Sequence, residues 1–582
     1  MRERDGRWGE TTREDDPREP AGVRGGKAST KGIRKMEYGI RYRRDLGGRL
    51  PELFLGVGAT FLVGWGAVVS TGGRGPILRD PRNALSRLRL GLVGRLLRGD
   101  GAREGSGGAW GVSLANGGLT RDARARGLEG LVVVSGLGCL RARRRHLGRV
   151  SRDAFEYPLL RLFAILGRFL LLGASDLRRV YRGLELQSLC LYVLAAFARG
   201  SAYSTEAGLK YFVLGALASG IYLLGASLLY GFLGTTDYPE RGRLLAAGSE
   251  GRGLAPVAGA SLVTRGFRFK LAAVPFHTWS PDVLEGAPVS SSRFLASVTK
   301  IAALGALVRF LYGPCFGLRP DLLPLLRSVA GLSRVVAALG ALRQRRVKRF
   351  LGYSAIGHVG YRLVGVSTGT VEGLQGVVLY TLLYVIGSVT VWAGVRGLRS
   401  AESETSVGQP SGHSRPAVYL TDLGGLGRRH PALAVALVVG RLSRAGIPPR
   451  AGFYAKLGVF LAAREASLYG LALTGVRASV VGAFYYLRWV KIRLFEGVSE
   501  GGALGKGVAS LDSGSARLVS LGVFARTFFV LYPSPLLRLS HRRAVCLCLL
   551  KRGLSRAGGG RGGFVQGKGG RCSHTLGKEC AC

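Results

Sequence analysis

Long apolar segments recur along this 582-residue chain, and they restrict its possible folds more than any other feature of the sequence. The loops between them are short. The segments lie near residues 51–70, 157–174, 183–198, 211–234, 254–276, 294–312, 321–342, 374–397, 431–447, 457–487 and 517–534. A bilayer offers no hydrogen-bond partner to open backbone groups, so this pattern predicts an all-α, polytopic membrane helix bundle.

Charge and composition limit the alternatives. The chain has 83 Lys and Arg against 35 Asp and Glu, yet 47% of its residues are hydrophobic. A disordered chain would be poor in apolar residues, and a soluble enzyme rarely combines this hydrophobicity with a net charge of +48. Two classes remain, a basic membrane protein and a nucleic-acid-binding protein. Eight cysteines in so long a chain do not indicate a disulfide scaffold.

The two ends of the chain differ from its middle. Residues 1–49 are charged and glycine-rich, and residues 550–582 are basic, glycine-rich and end in cysteines. Both are predicted to be disordered extensions of a membrane domain at 50–549. Residues 71–150 mix short apolar pieces with many arginines, and the sequence leaves their fold open. The RGG-like stretch at 559–563 keeps the nucleic-acid alternative open.

Lysines inside the apolar segments are candidate proton carriers. Only 13 of the basic residues are lysines, and Lys270, Lys300 and Lys456 lie within or beside apolar segments. Arginine stays charged at any physiological pH, whereas a lysine in apolar surroundings can release its proton. The alternative is that each lysine caps a helix end or reaches towards the membrane surface.

Two segments join a lysine to a proline that breaks a helix. Pro275 follows Lys270 and precedes His277, and the pair Pro448–Pro449 precedes Lys456. Broken helices at membrane depth occur only where protein or a water-filled cavity receives the freed backbone groups. The repetition predicts two discontinuous helices in an inverted repeat, the first carrying a lysine and histidine relay.

Two further polar residues stand out. Glu185 lies in an apolar run, where a carboxylate needs a cation, and Lys270 is the candidate partner. His358 lies in a short polar run that could hold water and a titrating imidazole. No metal or cofactor is expected, since Cys546 and Cys548 lack a second ligand pair and no phosphate-binding glycine loop is present.

Seven segments, in order, resemble the chain 2 family of NADH–ubiquinone oxidoreductase, antiporter-like membrane subunits of respiratory complex I, in its plant-type mitochondrial form. They are PELFL at 51–55, the long run at 184–220, FKLAAVPFHTWSPDVLEGAPV at 269–289, VKRFLGYSAIGHVGY at 347–361, RAGIPPRAGFYAKLGVF at 444–460, FYYLRWVKIRLFE at 484–496 and LYPSPLLRLSH at 531–541. The resemblance implies a multi-pass protein of the mitochondrial inner membrane. It would translocate protons as electrons pass from NADH to ubiquinone, beside other membrane-arm subunits. NADH and ubiquinone would act elsewhere in the complex, and this chain would bind no cofactor and no nucleic acid.

The resemblance also implies roles for individual residues. Glu185 matches the family's glutamate and Lys270 its partner lysine. Lys210 matches a further lysine one helix later. Lys300 matches the lysine in the middle of a hydrophilic axis, and Lys456 the lysine of the second broken helix. The assignments of His277 and His358 rest on their own surroundings.

Several arginines depart from the family pattern. Apolar residues are usual where this chain has Arg178, Arg179, Arg182, Arg265 and Arg268, and Val289–Arg293 replaces a stretch rich in Pro and Thr. An arginine at a helix centre costs roughly 2.5–3.5 kcal/mol on insertion scales. One hypothesis is that the transcript is edited from C to U, and a cDNA identical to the gene would refute it.

Three alternatives remain at this point. A free-standing cation/proton antiporter of the same fold would not co-purify with NADH dehydrogenase subunits. A nucleic-acid-binding protein would leave membranes in high salt, because its binding is salt-dependent. A mistranslated reading frame would give no matching peptides from the native protein.

Overall fold

A computed structural model describes residues 52–63, 112–114, 118–141, 156–247, 253–397, 419–495 and 513–556. All fall within one unit, Pro51–Cys582. The predicted N-terminal extension at 1–49 lies outside the described residues, as do residues 557–582 of the predicted tail. The first part of that tail, 550–556, continues the last helix, so the expectation of a disordered tail from residue 550 is wrong for these seven residues.

The described ranges form an all-α bundle, as predicted. The helices are α1 Glu52–Val63, α2 Ala123–Arg141, α3 Glu156–Gly173, α4 Leu177–Ala195, α5 Ala202–Leu233, α6 Tyr238–Ala247, α7 Leu254–Leu271, α8 Trp279–Gly286, α9 Val289–Ser297, α10 Thr299–Tyr312, α11 Arg319–Leu342, α12 Val347–Ser367, α13 Val371–Gly397, α14 Leu426–Arg429, α15 Pro431–Ala445, α16 Ala451–Glu465, α17 Tyr469–Leu494, α18 Ser513–Leu531 and α19 Ser534–Arg556. Within these ranges the strands are β1 Val112–Leu114 and β2 Leu119–Arg121, paired antiparallel.

Six spans in the described ranges are long and apolar enough to cross a membrane, so the chain is a multi-pass membrane protein. They are α5, the continuous pair α9–α10, α11, α13, α17 and α18. The α9–α10 span, Val289–Tyr312, is 100% buried, whereas α5 is 28% buried and α17 is 22% buried. The span that carries Lys300 therefore lies at the centre of the bundle, and α5 and α17 lie at its edge.

Helix α12 is buried almost throughout, although it is not among the apolar segments of the sequence. Its polar residues Ser354, His358 and Arg362 are spaced four apart and share one helix face. All three are buried, at 2%, 7% and 0% exposure. Hydropathy missed this helix because its polar face is directed towards other helices and not towards lipid.

Glycines allow two helix pairs to approach closely. In α5, a Cβ at Gly225 would lie 2.7 Å from the Gly259 carbonyl oxygen of α7. Between α3 and α4, a Cβ at Gly183 would lie 2.9 Å from the Leu171 backbone nitrogen. Because lipid provides no hydrophobic driving force for helix association, such close contacts at small residues supply much of the packing energy.

We expect Gly225→Ala to destabilise the bundle by about 1–3 kcal/mol, because the added methyl group overlaps the α7 backbone. The matched control is Gly220→Ala in the same helix, since nothing lies within 4 Å of a Cβ at Gly220. The control should be neutral or stabilising through helix propensity. Thermal unfolding of the detergent-solubilised protein measures both, and equal midpoints would contradict this packing.

Both predicted helix breaks are confirmed. The first lies between α7 and α8 and contains a cis peptide bond before Pro275. The second lies between α15 and α16 and contains one before Pro449. Protein groups receive part of the freed backbone, since Val274 N–H donates to Ser333 Oγ (3.0 Å). Lys270 lies in the last turn of α7, and Lys456 lies in the second turn of α16.

The arginines that depart from the family pattern are mostly not buried. Arg178, Arg182 and Arg265 are exposed, and Arg178 pairs with Asp176 (3.3 Å). Only Arg268 is buried, and Arg179 is intermediate.

Other arginines are fully buried. They include Arg161, Arg168, Arg293, Arg334, Arg362, Arg441 and Arg493. Among the described residues, no nitrogen of the Arg168, Arg441 and Arg493 guanidinium groups has a hydrogen-bond partner. Each lies over an aromatic ring, for example Arg493 at 3.6 Å from the Trp489 ring centre. Cation–π contacts offset part of the cost of burying these charges.

Candidate functional site

The first buried lysine lies where α7 faces α4. Lys270 is 7% exposed, and its Nζ donates to Ser188 Oγ (2.7 Å) and to Tyr192 OH (3.4 Å). Ser188 in turn donates to the Leu184 carbonyl (2.5 Å). These contacts fix the ammonium group at the C-terminal end of a half-helix, where the helix dipole favours a cation.

Glu185 lies on the same helix as Ser188, one turn away, and interacts electrostatically with Lys270. Among the described residues the two side chains form no ion pair within 4 Å, and Glu185 Oε1 is buried without a hydrogen-bond partner. The expected direct pairing is therefore not formed, and Lys270 donates to Ser188 instead. In this arrangement the carboxylate acts on the lysine through space.

The second lysine occupies the centre of the bundle. Lys300 in α10 is 2% exposed, and its Nζ is buried without a hydrogen-bond partner among the described residues. The charge of Arg362 of α12 acts on it electrostatically. A buried ammonium without a partner is costly, so the charge state of Lys300 depends strongly on neighbouring charges.

His358 of α12 is acted on electrostatically by Arg444, Lys456, Arg362 and Lys300. Its Nδ1 lies 2.7 Å from Tyr380 OH of α13, and its Nε2 has no hydrogen-bond partner among the described residues. Tyr384, one turn further along α13, donates to the Ala296 carbonyl (3.1 Å) and so ties α13 to the central span.

The third lysine bridges the second helix break. Lys456 is 6% exposed, and its Nζ donates to the Ala445 carbonyl (2.6 Å) and to Ser479 Oγ (2.7 Å). Ala445 is the last residue of α15, so the ammonium group caps the half-helix that precedes the break. Lys270 and Lys456 therefore both place a cation beside a half-helix C-terminus.

Two predicted residues lie outside this buried series. Lys210 is 46% exposed on α5, where it pairs with Glu206 (2.6 Å) and lies 3.8 Å from Asp282. His277 is half-buried, with Nδ1 3.2 Å from the Pro275 carbonyl. Their roles in proton transfer stay predictions.

Four residues that contact the candidate site side chains were not found from the sequence: Ser188 and Tyr192 bond to Lys270, Tyr380 bonds to His358, and Ser479 bonds to Lys456. Ser188 and Tyr192 follow Glu185 by three and seven residues, which is one helix face. This spacing is the sequence signal that could have identified Ser188 and Tyr192. Tyr380 and Ser479 come from distant segments, so only the folded chain brings them to His358 and Lys456.

Comparison with known proteins places this arrangement in a family. Residues 174–482 match the family described as NADH:quinone oxidoreductase/Mrp antiporter, TM. NADH-quinone oxidoreductase subunit N 1 of Rhizobium meliloti (strain 1021) is 41% identical over 447 residues, which cover 77% of this chain and 88% of the relative. NADH-ubiquinone oxidoreductase chain 2 of Marchantia polymorpha is 41% identical over 405 residues, which cover 69% and 78%.

Solved structures give the same fold. A chain of respiratory complex I from Thermus thermophilus with bound aureothin superposes with a TM-score of 0.68 and 29% identity, covering 84% of this chain and 98% of that one. A chain of the Mrp complex from Dietzia sp. DQ12-45-1b has a TM-score of 0.71 at 21% identity and covers 87% and 99%, which shows the fold alone. The family match spans more than half of the sequence, and both relatives are covered over more than three quarters of their length. This chain belongs to the NADH:quinone oxidoreductase/Mrp antiporter family of membrane subunits.

Proposed function

We propose that this chain is the antiporter-like subunit of NADH:quinone oxidoreductase that corresponds to subunit N or chain 2, and that it translocates protons. The carrying observation is the series of three buried lysines, Lys270, Lys300 and Lys456, two of them at helix breaks. The partners would be other membrane subunits of the enzyme and the lipid bilayer. NADH and the quinone would act in other subunits, and this chain would hold no cofactor.

The mechanism we propose is electrostatic. Two unit charges 4 Å apart interact by about 4 kcal/mol at an effective dielectric constant of 20. Moving one elementary charge across 100 mV costs about 2.3 kcal/mol. A change in the distance between Glu185 and Lys270 would therefore change their electrostatic energy enough to control whether the lysine holds its proton. A proton released there would pass to Lys300 and, by way of His358, to Lys456.

The location we propose is the mitochondrial inner membrane. Support comes from the chain 2 relative of Marchantia polymorpha, which is the mitochondrial one among the relatives, and from the plant-type segments IGHVGY and LYPSPL. The bacterial relatives are equally similar, so fractionation of the source cells is the direct test. Recovery of the chain in the mitochondrial inner membrane supports the proposal, and recovery in another membrane contradicts it.

Purification tests the function. We expect the chain to co-purify from detergent-solubilised membranes with NADH dehydrogenase activity, and the reconstituted complex to acidify or alkalinise vesicles when NADH and a quinone are added. A chain that purifies alone and exchanges a cation for protons without NADH would instead be a free-standing antiporter. That result would overturn the proposed membership in the oxidoreductase.

We expect Ser188→Ala to lower NADH-driven proton transport about tenfold, because a hydrogen bond to a charged group contributes about 1.5–3 kcal/mol. Lys270 would lose the acceptor that holds it beside Glu185. The control is Ser219→Ala in α5, whose hydroxyl bonds only within its own helix (3.1 Å to Gly215 O). Equal transport rates in the two variants would remove Ser188 from the mechanism.

A further inference from the structure

A small pocket lies beside His358, and its walls are unusually rich in positive charge. Residues of five helices line it, and they are His358, Tyr380, Leu383, Tyr384, Gly387, Ser443, Arg444, Ala451, Gly452, Ala455 and Arg526. None of them is acidic. The pocket is large enough for a group the size of water. A cavity of this kind inside a membrane bundle would normally contain a counter-charge.

The two arginines converge on one glycine. Arg444 of α15 donates from Nη2 to the Gly387 carbonyl (3.1 Å), and the Arg526 guanidinium lies against Gly387 itself. A Cβ at residue 387 would overlap Arg526, so glycine is what admits both groups. Arg444 and Arg526 are close enough to repel each other. They are 8% and 4% exposed, so water screens little of this repulsion.

Part of the hydrogen-bonding capacity of Arg444 is unused among the described residues. Each guanidinium group has five N–H donors. Arg444 donates to Gly387, its Nε is buried without a partner, and Arg526 donates to the Gly440 carbonyl (3.2 Å). Neither arginine forms an ion pair with any residue in the described ranges.

Ser443 and His358 also line the pocket. Ser443 Oγ accepts from Gly452 N–H (3.3 Å), which leaves the serine hydrogen free to donate. His358 Nε2 has no hydrogen-bond partner among the described residues. Lys300, Arg362 and Lys456 also act electrostatically on His358, so the surroundings add positive charge to that of the two arginines. An uncompensated buried charge is costly, and an anion in this pocket would offset part of that cost.

We propose that this pocket binds a small monovalent inorganic anion, of the size and charge of chloride, between the guanidinium groups of Arg444 and Arg526. The small volume of the pocket, about 30 Å³, and the burial of both arginines favour a single ion over a lipid phosphate headgroup. Binding does not require that the chain move protons. Anion binding is measured on the resting enzyme. A failure to bind an anion therefore leaves the proposed function intact, and a failure of proton transport leaves the anion site intact.

Bromide, a heavier halide that can be located directly, is the probe. The intact complex is purified in chloride-free gluconate buffer, equilibrated with sodium bromide and crystallised, and the bromide is located by its anomalous scattering. We expect a peak between Arg444 and Arg526 in the wild-type complex. The absence of a peak there at saturating bromide overturns the proposal, as does phosphorus-containing lipid density in the same place.

Variants test which residues hold the ion. The double variant Arg444→Leu with Arg526→Leu should lose the pocket's bromide and the bromide-dependent rise in thermal unfolding midpoint. The matched control is Arg334→Leu, a buried arginine whose donors bond to the Leu471 carbonyl (2.9 Å) and Thr474 (3.0 Å) instead. The control should keep both signals. If the double variant does not assemble, the presence or absence of the bromide peak in the wild-type complex tests the proposal. Peptide masses of the native chain are a second test, since masses that lack arginine at 444 or 526 also overturn the proposal.

Discussion

Lys300→Met is expected to abolish most NADH-driven proton transport while the protein keeps or gains stability. The lysine lies at the centre of the buried series, and its Nζ has no hydrogen-bond partner to lose. Replacing an uncompensated buried charge by an apolar side chain is often neutral or stabilising. We expect proton transport and quinone reductase turnover to fall at least about tenfold, and the protons moved per electron to fall as well.

A second substitution separates two roles for this lysine. Lys300→Arg keeps the positive charge but cannot release a proton at physiological pH. If Lys300 carries protons, the arginine variant should be as inactive as Lys300→Met. Recovery of transport in Lys300→Arg would show that only the charge matters. Lys491→Met, an exposed lysine at the end of α17, should leave transport unchanged.

Lys456→Met is expected to lose transport to a similar extent, but at a cost in stability. This lysine donates to the Ala445 carbonyl and to Ser479, so its removal leaves a buried half-helix end uncapped. Loss of such bonds costs about 1–3 kcal/mol. Thermal unfolding and proton uptake, measured on the same reconstituted preparation, separate the two effects.

The arginine variant again distinguishes the explanations. Lys456→Arg retains donors for the helix cap and should recover part of the lost stability, whereas transport should stay low because the group cannot deprotonate. Recovery of both stability and transport would make Lys456 a structural cap only. The opposite behaviour of Lys300→Met and Lys456→Met in unfolding experiments is a direct consequence of their different contacts.

The sequence predicted the features that depend on local chemistry. Apolar segments predicted the membrane bundle, and the proline positions predicted both helix breaks. Each signal is contained in a few neighbouring residues, since a proline removes a helix hydrogen bond wherever it stands. The burial of Lys270, Lys300 and Lys456 followed from their apolar surroundings for the same reason.

Features that depend on distant residues could not be predicted in this way. Helix α12 is polar by composition, and only its enclosure by other helices explains why Ser354, His358 and Arg362 are buried. Lys210 was assigned to the proton path by resemblance, yet its helix lies at the edge of the bundle and its side chain is exposed. The hydrogen bond from Lys270 to Ser188 depends on side-chain geometry across two helices, so it could not be predicted from the sequence.

The complete enclosure of the α9–α10 span has a consequence for biogenesis. This segment carries Arg293, Lys300 and Arg309, which are 1%, 2% and 6% exposed in the finished bundle. A translocon releasing it alone into lipid would meet a penalty of roughly 2.5–3.5 kcal/mol for each charge near the centre. We therefore expect the translocon to retain the nascent segment until later helices have been synthesised, so that the segment enters the bilayer together with these helices.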